Sequence, residues 1–272
     1  MALGRSLAFA RVVGLGTVAM AVAATTVSLA RADGPAASDP AHGIDWQPMG
    51  TWAIARTETS VGQFRRYVQA TGVQTEAERR GGGEVYETGW TRKPGWVWHS
   101  PFGRPAADDE PAVHLTWHEA QAFCRWAGGR LPRDEEWARA AYTEQRPAPP
   151  PPWRSGQTYR YPTGDSPQGA ICLGDCGPQA QALAVPQGRG LLLRGAGHAP
   201  VGRSPAGVNG LHDMGGNAWE WVDDPPGARG DDPRRTRGGS WWYGEAPMRE
   251  DHRQDKPAST AVVYIGFRCV RP

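Results

Sequence analysis

The stretch Arg237-Gly-Gly-Ser-Trp-Trp-Tyr-Gly-Glu-Ala-Pro-Met248, with the charged run to Arg253 behind it, gathers side chains able to do chemistry. A phenol can donate a proton or act as a redox-active group, and a carboxylate can act as a base. Tyr243, Glu245, Glu250 and the hydroxyl of Ser240 are therefore catalytic candidates, with His252 as a proton shuttle. Trp241 and Trp242 offer flat faces for a ligand, and Arg249 and Arg253 offer cations beside them. The bland alternative is that the aromatics line a groove, the glutamates are solvated and the arginines are ion-paired supports.

Two other stretches carry ligand-type residues. Asp213-Met-Gly-Gly-Asn-Ala-Trp-Glu220 has carboxylates at both ends and glycines between them that let carbonyls turn inward. That suits calcium, which takes six to eight hard oxygens on a tightly bent backbone. Its alternative is a plain Gly-Gly turn between core tryptophans. Cys172-Leu-Gly-Asp-Cys176 reads as a small local disulfide, with a thiolate metal site or redox pair as the sharper option.

These groups need a scaffold. Arg5 and Arg11 precede an apolar run from Val12 to Leu29 and then Ala30-Arg31-Ala32, the order of a secretory signal over 1–32, so no membrane span is expected after cleavage. Residues 33–45 lack periodicity and read as a flexible leader, leaving one domain over 46–272. Its 36 Gly, 25 Pro and 13 Trp indicate a loop-rich domain with an aromatic core. Thirty basic and 28 acidic side chains leave a net charge of +2, so no field selects nucleic acid. Three helices are marked: one from Thr59 to Gly72, one begun by the capping residues Thr116 and Glu119, and a short one with Asp134, Glu135 and Glu136 in its first turn.

Pro111 to Trp137, Asn209 to Trp221, Arg237 to Trp241 and Gly266-Phe-Arg-Cys269 occur in the order found in the sulfatase-modifying factor or formylglycine-generating enzyme family, which this chain resembles. Glu58 to Phe64 and Ala70 to Glu78 resemble that family's entry helix. The resemblance implies an α+β domain of C-type-lectin-like fold with little regular structure. It also implies a Cys124–Cys269 disulfide, leaving Cys172 and Cys176 to each other. For calcium it implies side-chain oxygens from Asp213 and Glu220 and main-chain oxygens from Gly216 and Ala218.

The resemblance also exposes a departure. The family's copper is held by two cysteines just after Gly-Gly-Ser, where this chain has Tyr243 and Met248. Thiolates suit monovalent copper, so copper-dependent formylglycine formation is not expected. Branches that add a helical iron domain with a His-x3-His-x-Glu pattern are set aside, since that pattern is missing. The chain is similar to the exported branch of pyoverdine-maturation and nitrite-reductase accessory proteins. The implied function is a periplasmic or secreted, oxidase-type or maturation factor for a peptide or small-molecule substrate, against a non-catalytic lectin-fold binding module.

Overall fold

Short polar signals set the helix boundaries. Helix α1 (Val61–Thr71) starts at Ser60, whose hydroxyl accepts from the Gln63 N–H while the Gln63 side chain accepts from the Ser60 N–H. It ends at Gly72, which takes the left-handed conformation that a side chain would disfavour. The same reciprocal cap, from Thr75 and Glu78, starts the single turn α2 (Glu76–Arg79). Thr116 and Glu119 cap α3 (Trp117–Trp126), and α4 (Asp134–Tyr142) carries three acids in its first turn. All three expected helices form. A short helix α5 (Gln179–Leu183) follows the local loop between Cys172 and Cys176.

The strands are short and pair across long sequence distances. One sheet has the order β1 (Ala37–Asp39), β2 (Ile44–Pro48), β3 (Ala53–Ala55) and β10 (Val270–Arg271), which joins the two ends of the domain. A hairpin is made by β4 (Glu84–Tyr86) and β5 (Trp90–Arg92). The second four-stranded sheet runs β8 (Gln254–Pro257), β7 (Pro233–Arg237), β6 (Trp219–Trp221) and β9 (Ile265–Phe267). Its β6–β9 pair is parallel, with Glu220 opposite Gly266.

The computed structural model describes Met1 and residues 37–272, so the signal reading of 1–32 falls outside the described residues apart from Met1. The leader reading of 33–45 does not hold for its second half: β1 pairs with β2, Ala37 opposite Trp46 and Asp39 opposite Ile44. The Asp39 carboxylate also pairs with His42 at 2.8 Å. This strand is polar and three residues long, so it has no periodicity for a pattern reading to detect.

Aromatic side chains fill the interior. Phe64 and Tyr67 of α1 meet Phe123 of α3 at ring centroid distances of 5.8 and 5.7 Å. Trp46, Trp137, Trp219, Trp221 and Trp242 are all but inaccessible. At roughly 25 cal/mol per Å², burying the 150–250 Å² of such a side chain stabilises by about 4–6 kcal/mol before entropy is charged against it. Cys124 of α3 is joined to Cys269, 145 positions away, and Cys172 to Cys176, as expected.

In the chain-entropy account the long bridge restrains the unfolded chain by about 5 kcal/mol and the short one by about 2 kcal/mol. Denaturant titration of the Cys124→Ser/Cys269→Ser variant should therefore show the larger loss of stability, and Cys172→Ser/Cys176→Ser a loss under half as large. Equal losses would contradict the assignment of the long bridge as the principal restraint.

Candidate functional site

Two neighbouring constructions make up the region that the sequence motifs single out. The first is a buried polar cluster. The β6–β9 pairing brings Glu220 beside Arg268, and both are fully buried. Arg268 donates from Nε to both carboxylate oxygens at 2.9 and 2.8 Å and from Nη2 to Oε1 at 2.7 Å. Its remaining donors reach the Ala55 carbonyl at 3.1 Å and the His212 carbonyl at 2.8 Å. Trp137 Nε1 donates to Glu220 Oε2 at 2.7 Å.

Glu58, between β3 and α1, completes the cluster. It accepts from the Ala218 N–H at 2.7 Å and from Asn217 Nδ2 at 2.6 Å. Burial, and then the neighbouring Asp213 and Glu220, push its carboxyl well above the usual range. Asp213 accepts from the Gly202 N–H at 2.6 Å and from the Ser204 hydroxyl at 2.5 Å. Both Asp213 and Asn217 have positive φ, 58° and 52°. Gly216 shares that region, and a Cβ there would lie 2.3 Å from the Ile171 carbonyl oxygen, so only glycine fits. Strained backbone held in place by buried hydrogen bonds is the mark of a built site.

Three acids face one guanidinium in this cluster. Burial favours the neutral form of Glu58, so Asp213 and Glu220 are the carboxylates left to face Arg268, and the oxygens of both already accept hydrogen bonds. Among the described residues no group of three His, Cys, Asp or Glu side chains converges enough to enclose a metal ion. A cation at Asp213 and Glu220 would need main-chain oxygens as well, and Gly216 and Ala218 lie between the two in the chain.

The second construction surrounds Tyr243. Its half-buried ring packs edge-on against Trp219 and Tyr264, each at a centroid distance of 5.9 Å. Burial raises the Tyr243 phenol above its ordinary value, while a hydrogen bond from Tyr264 and the nearby Arg194 pull it down. Tyr264 is pushed up strongly, chiefly by burial. Arg194 lies over Trp242 and Tyr243, 4.7 and 5.6 Å from their centroids. A small cleft lined by Ile171, Leu173, Gly195, Gly197 and Trp241 adjoins it, with the Leu173 N–H donating to the Tyr243 carbonyl at 2.8 Å.

The other sequence candidates scatter around this pair of constructions. Ser240 is fully buried, its main-chain oxygen accepting from the Tyr243 N–H at 3.0 Å. Trp241 and Trp242 are core residues, 2% and 1% exposed, rather than an open groove. Glu245 is bound by the Tyr161 hydroxyl, and Met248 is buried with Tyr161, Cys172 and Cys176. Glu250 is exposed, Arg249 pairs with Asp251 at 3.3 Å, and Arg253 approaches Asp134 at 3.8 Å. His252 lies tilted over Trp219 at 5.9 Å. Sequence reasoning gave no role to Glu58, Asn217, Arg194, Tyr161, Tyr264 or Arg268. Arg268 stands inside the Gly-Phe-Arg-Cys motif and Glu58 just ahead of α1, so a signal existed for those two; Arg194, in a glycine-rich loop, had none.

The fold that carries these two constructions belongs to a known class. Residues 11–272 match the sulfatase-modifying factor enzyme 1-like domain. The chain belongs to this formylglycine-generating-enzyme-like family. It is 30% identical to the formylglycine-generating enzyme of Mycobacterium tuberculosis, over 80% of this chain and 87% of that protein. It is 29% identical to the hercynine oxygenase of Mycolicibacterium thermoresistibile, over 87% of this chain but 54% of that protein. Its fold resembles that of PvdO from Pseudomonas aeruginosa, with a TM-score of 0.53 and 19% identity over 81% and 80% of the two chains.

Removing one partner of a buried charge pair leaves the other desolvated and unpaired, at a cost of about 3–5 kcal/mol. Glu220→Ala should lose stability of that order in urea. A loss under about 1 kcal/mol, the scale of an exposed pair, would contradict this account of the cluster.

Proposed function

We propose that this chain is an exported maturation factor of oxidase type, acting in the cell envelope on a peptide or peptide-derived substrate without a copper dithiolate. One observation carries the reading: no cysteine is free, all four being paired, while Tyr243 and Met248 occupy the places of the family's copper cysteines. Soft thiolates are what hold monovalent copper. In their stead the site presents a phenol with a transferable proton, supported by Tyr264 and flanked by the Arg194 cation. The periplasmic or secreted location is supported by the signal-like start and by two disulfides, which persist in oxidising compartments.

A second reading, a non-catalytic binding module, has its own support. Glu245 and Arg249 are engaged by Tyr161 and Asp251 rather than aimed at Tyr243. An inactive Cα-formylglycine-generating enzyme 2, from Mus musculus, is also 29% identical over 87% of this chain.

Metal analysis of purified protein, with oxygen uptake and mass spectrometry on cysteine-containing peptides, tests the copper departure. The expected outcome is copper well below stoichiometry and no formylglycine; stoichiometric copper with conversion of the peptide would overturn it. Oxygen uptake on a peptide substrate that disappears in Tyr243→Phe is the outcome the oxidase reading requires. Its absence on every peptide in the panel would favour the binding module.

Calcium at the Asp213–Glu220 segment belongs to the same proposal, as a structural ion. The thermal midpoint should be higher in excess calcium than in excess chelator, and Glu220→Gln should erase that difference. Equal midpoints for the unsubstituted protein would sink the calcium assignment.

A further inference from the structure

Among the described residues, the large hydrophobic side chains that stand in solvent, Met1 aside, are Tyr86, Trp90, Leu191 and Leu193, from 42% to 70% exposed. They come from two places in the chain that the fold ties together. Tyr86 and Trp90 sit opposite each other on the β4–β5 hairpin with ring centroids 5.2 Å apart. Leu191 and Leu193 lie on the loop whose Leu193 N–H donates to Glu87 of that hairpin at 2.9 Å. The next residue, Arg194, lies over Trp242 and Tyr243. The Leu193–Glu87 hydrogen bond and the position of Arg194 over Tyr243 thus tie this hairpin and loop to the Tyr243 site.

Scattered apolar side chains on a surface need no explanation, but a contiguous exposed group beside a site marks an interaction surface. Its centre is charged. Arg194 is exposed and, among the described residues, has no carboxylate within ion-pair distance and no hydrogen-bond acceptor. Its central carbon lies over two aromatic rings, which leaves its N–H donors to take a carboxylate in two parallel bonds. The hairpin adds a third element. Strand β5 is paired with β4 on one side only, so its second edge has main-chain donors and acceptors to offer beside Trp90.

We propose that this exposed group is the docking surface of the Tyr243 site and that it takes an extended peptide carrying a bulky apolar side chain next to a carboxylate. The apolar side chain packs between Trp90 and Leu193, the carboxylate meets Arg194, and the peptide backbone runs along β5. The inference rests on the reading of Tyr243 as the working site and names the class of substrate brought to it.

The test is fluorescence anisotropy with three dansyl pentapeptides: Gly-Phe-Leu-Asp-Gly, its Asn counterpart in place of Asp, and Gly-Ala-Ala-Asp-Gly, each with an amidated C-terminus. The first should bind saturably, and each of the other two about tenfold more weakly, the scale of one charge-assisted hydrogen bond or one buried apolar side chain. Arg194→Gln should abolish the preference for Asp over Asn, and Trp90→Ala or Leu193→Ser the preference for Phe-Leu over Ala-Ala. All three substituted residues are exposed, so unchanged thermal midpoints verify the fold. Equal binding of the three peptides, no saturable binding of any, or an Asp preference that survives Arg194→Gln would overturn the proposal. Tyr243→Phe should leave both peptide preferences intact, since neither the carboxylate nor the apolar side chain is read by the phenol. Binding without turnover would count against the oxidase reading alone, and turnover without these preferences against the docking surface alone.

Discussion

The contact between Arg268 and Glu220 organises the molecule. Its guanidinium reaches β6 through Glu220, the end of β3 through the Ala55 carbonyl, and the loop before Asp213 through the His212 carbonyl. Those partners lie 48, 213 and 56 positions away in the chain, so none of the bonds can form until distant segments have come together. A pair this deeply buried gains little net stability, because taking both charges out of water costs about as much as their attraction returns. Its contribution is to make alternative packings expensive, since any arrangement that separates the two leaves a charge stranded in a low-dielectric interior. Cys269, the next residue, fixes the same strand region to α3 covalently.

The rest of the architecture follows from having so little regular structure. Strands of two to five residues bury few side chains each, so the interior is built from tryptophans and tyrosines contributed by helices, strands and loops alike. Loops crossing a core need their polar backbone satisfied, which is what Asn217 does: it accepts from the Ala199 N–H at 2.8 Å while donating to Glu58. The left-handed residues at Asp213, Gly216 and Asn217 let one short segment turn repeatedly without leaving the core.

Legibility in the sequence tracks the range of the interaction. The three longer helices were readable because caps and apolar spacing are local, as Thr116 with Glu119 illustrates. Helix α2 has the same cap at Thr75 and Glu78 but only four residues, too few for a stripe. Strand β1 was missed because its identity comes from pairing with Ile44 and Trp46 rather than from its own Ala-Ser-Asp. The motif residues located the site region well, and roles within it less well. Glu245 looked like a free base until Tyr161, 84 positions away, was seen to hold it. Arg194 could not be picked from its loop, since a cation above two aromatic rings is a property of the fold alone.

Exchanging thiols for a phenol alters what the same scaffold position can do. A dithiolate binds a soft metal and leaves the chemistry to it. Met248, buried against the Cys172–Cys176 bridge, supplies only packing at its position. Tyr243 remains half-buried, its ring packed edge-on against Trp219 and Tyr264 and its face under Arg194. Burial raises this phenol, which favours its protonated form at neutral pH. An anionic group on a ligand held beside Tyr243 would meet the Arg194 guanidinium, which is exposed and without an ion pair among the described residues.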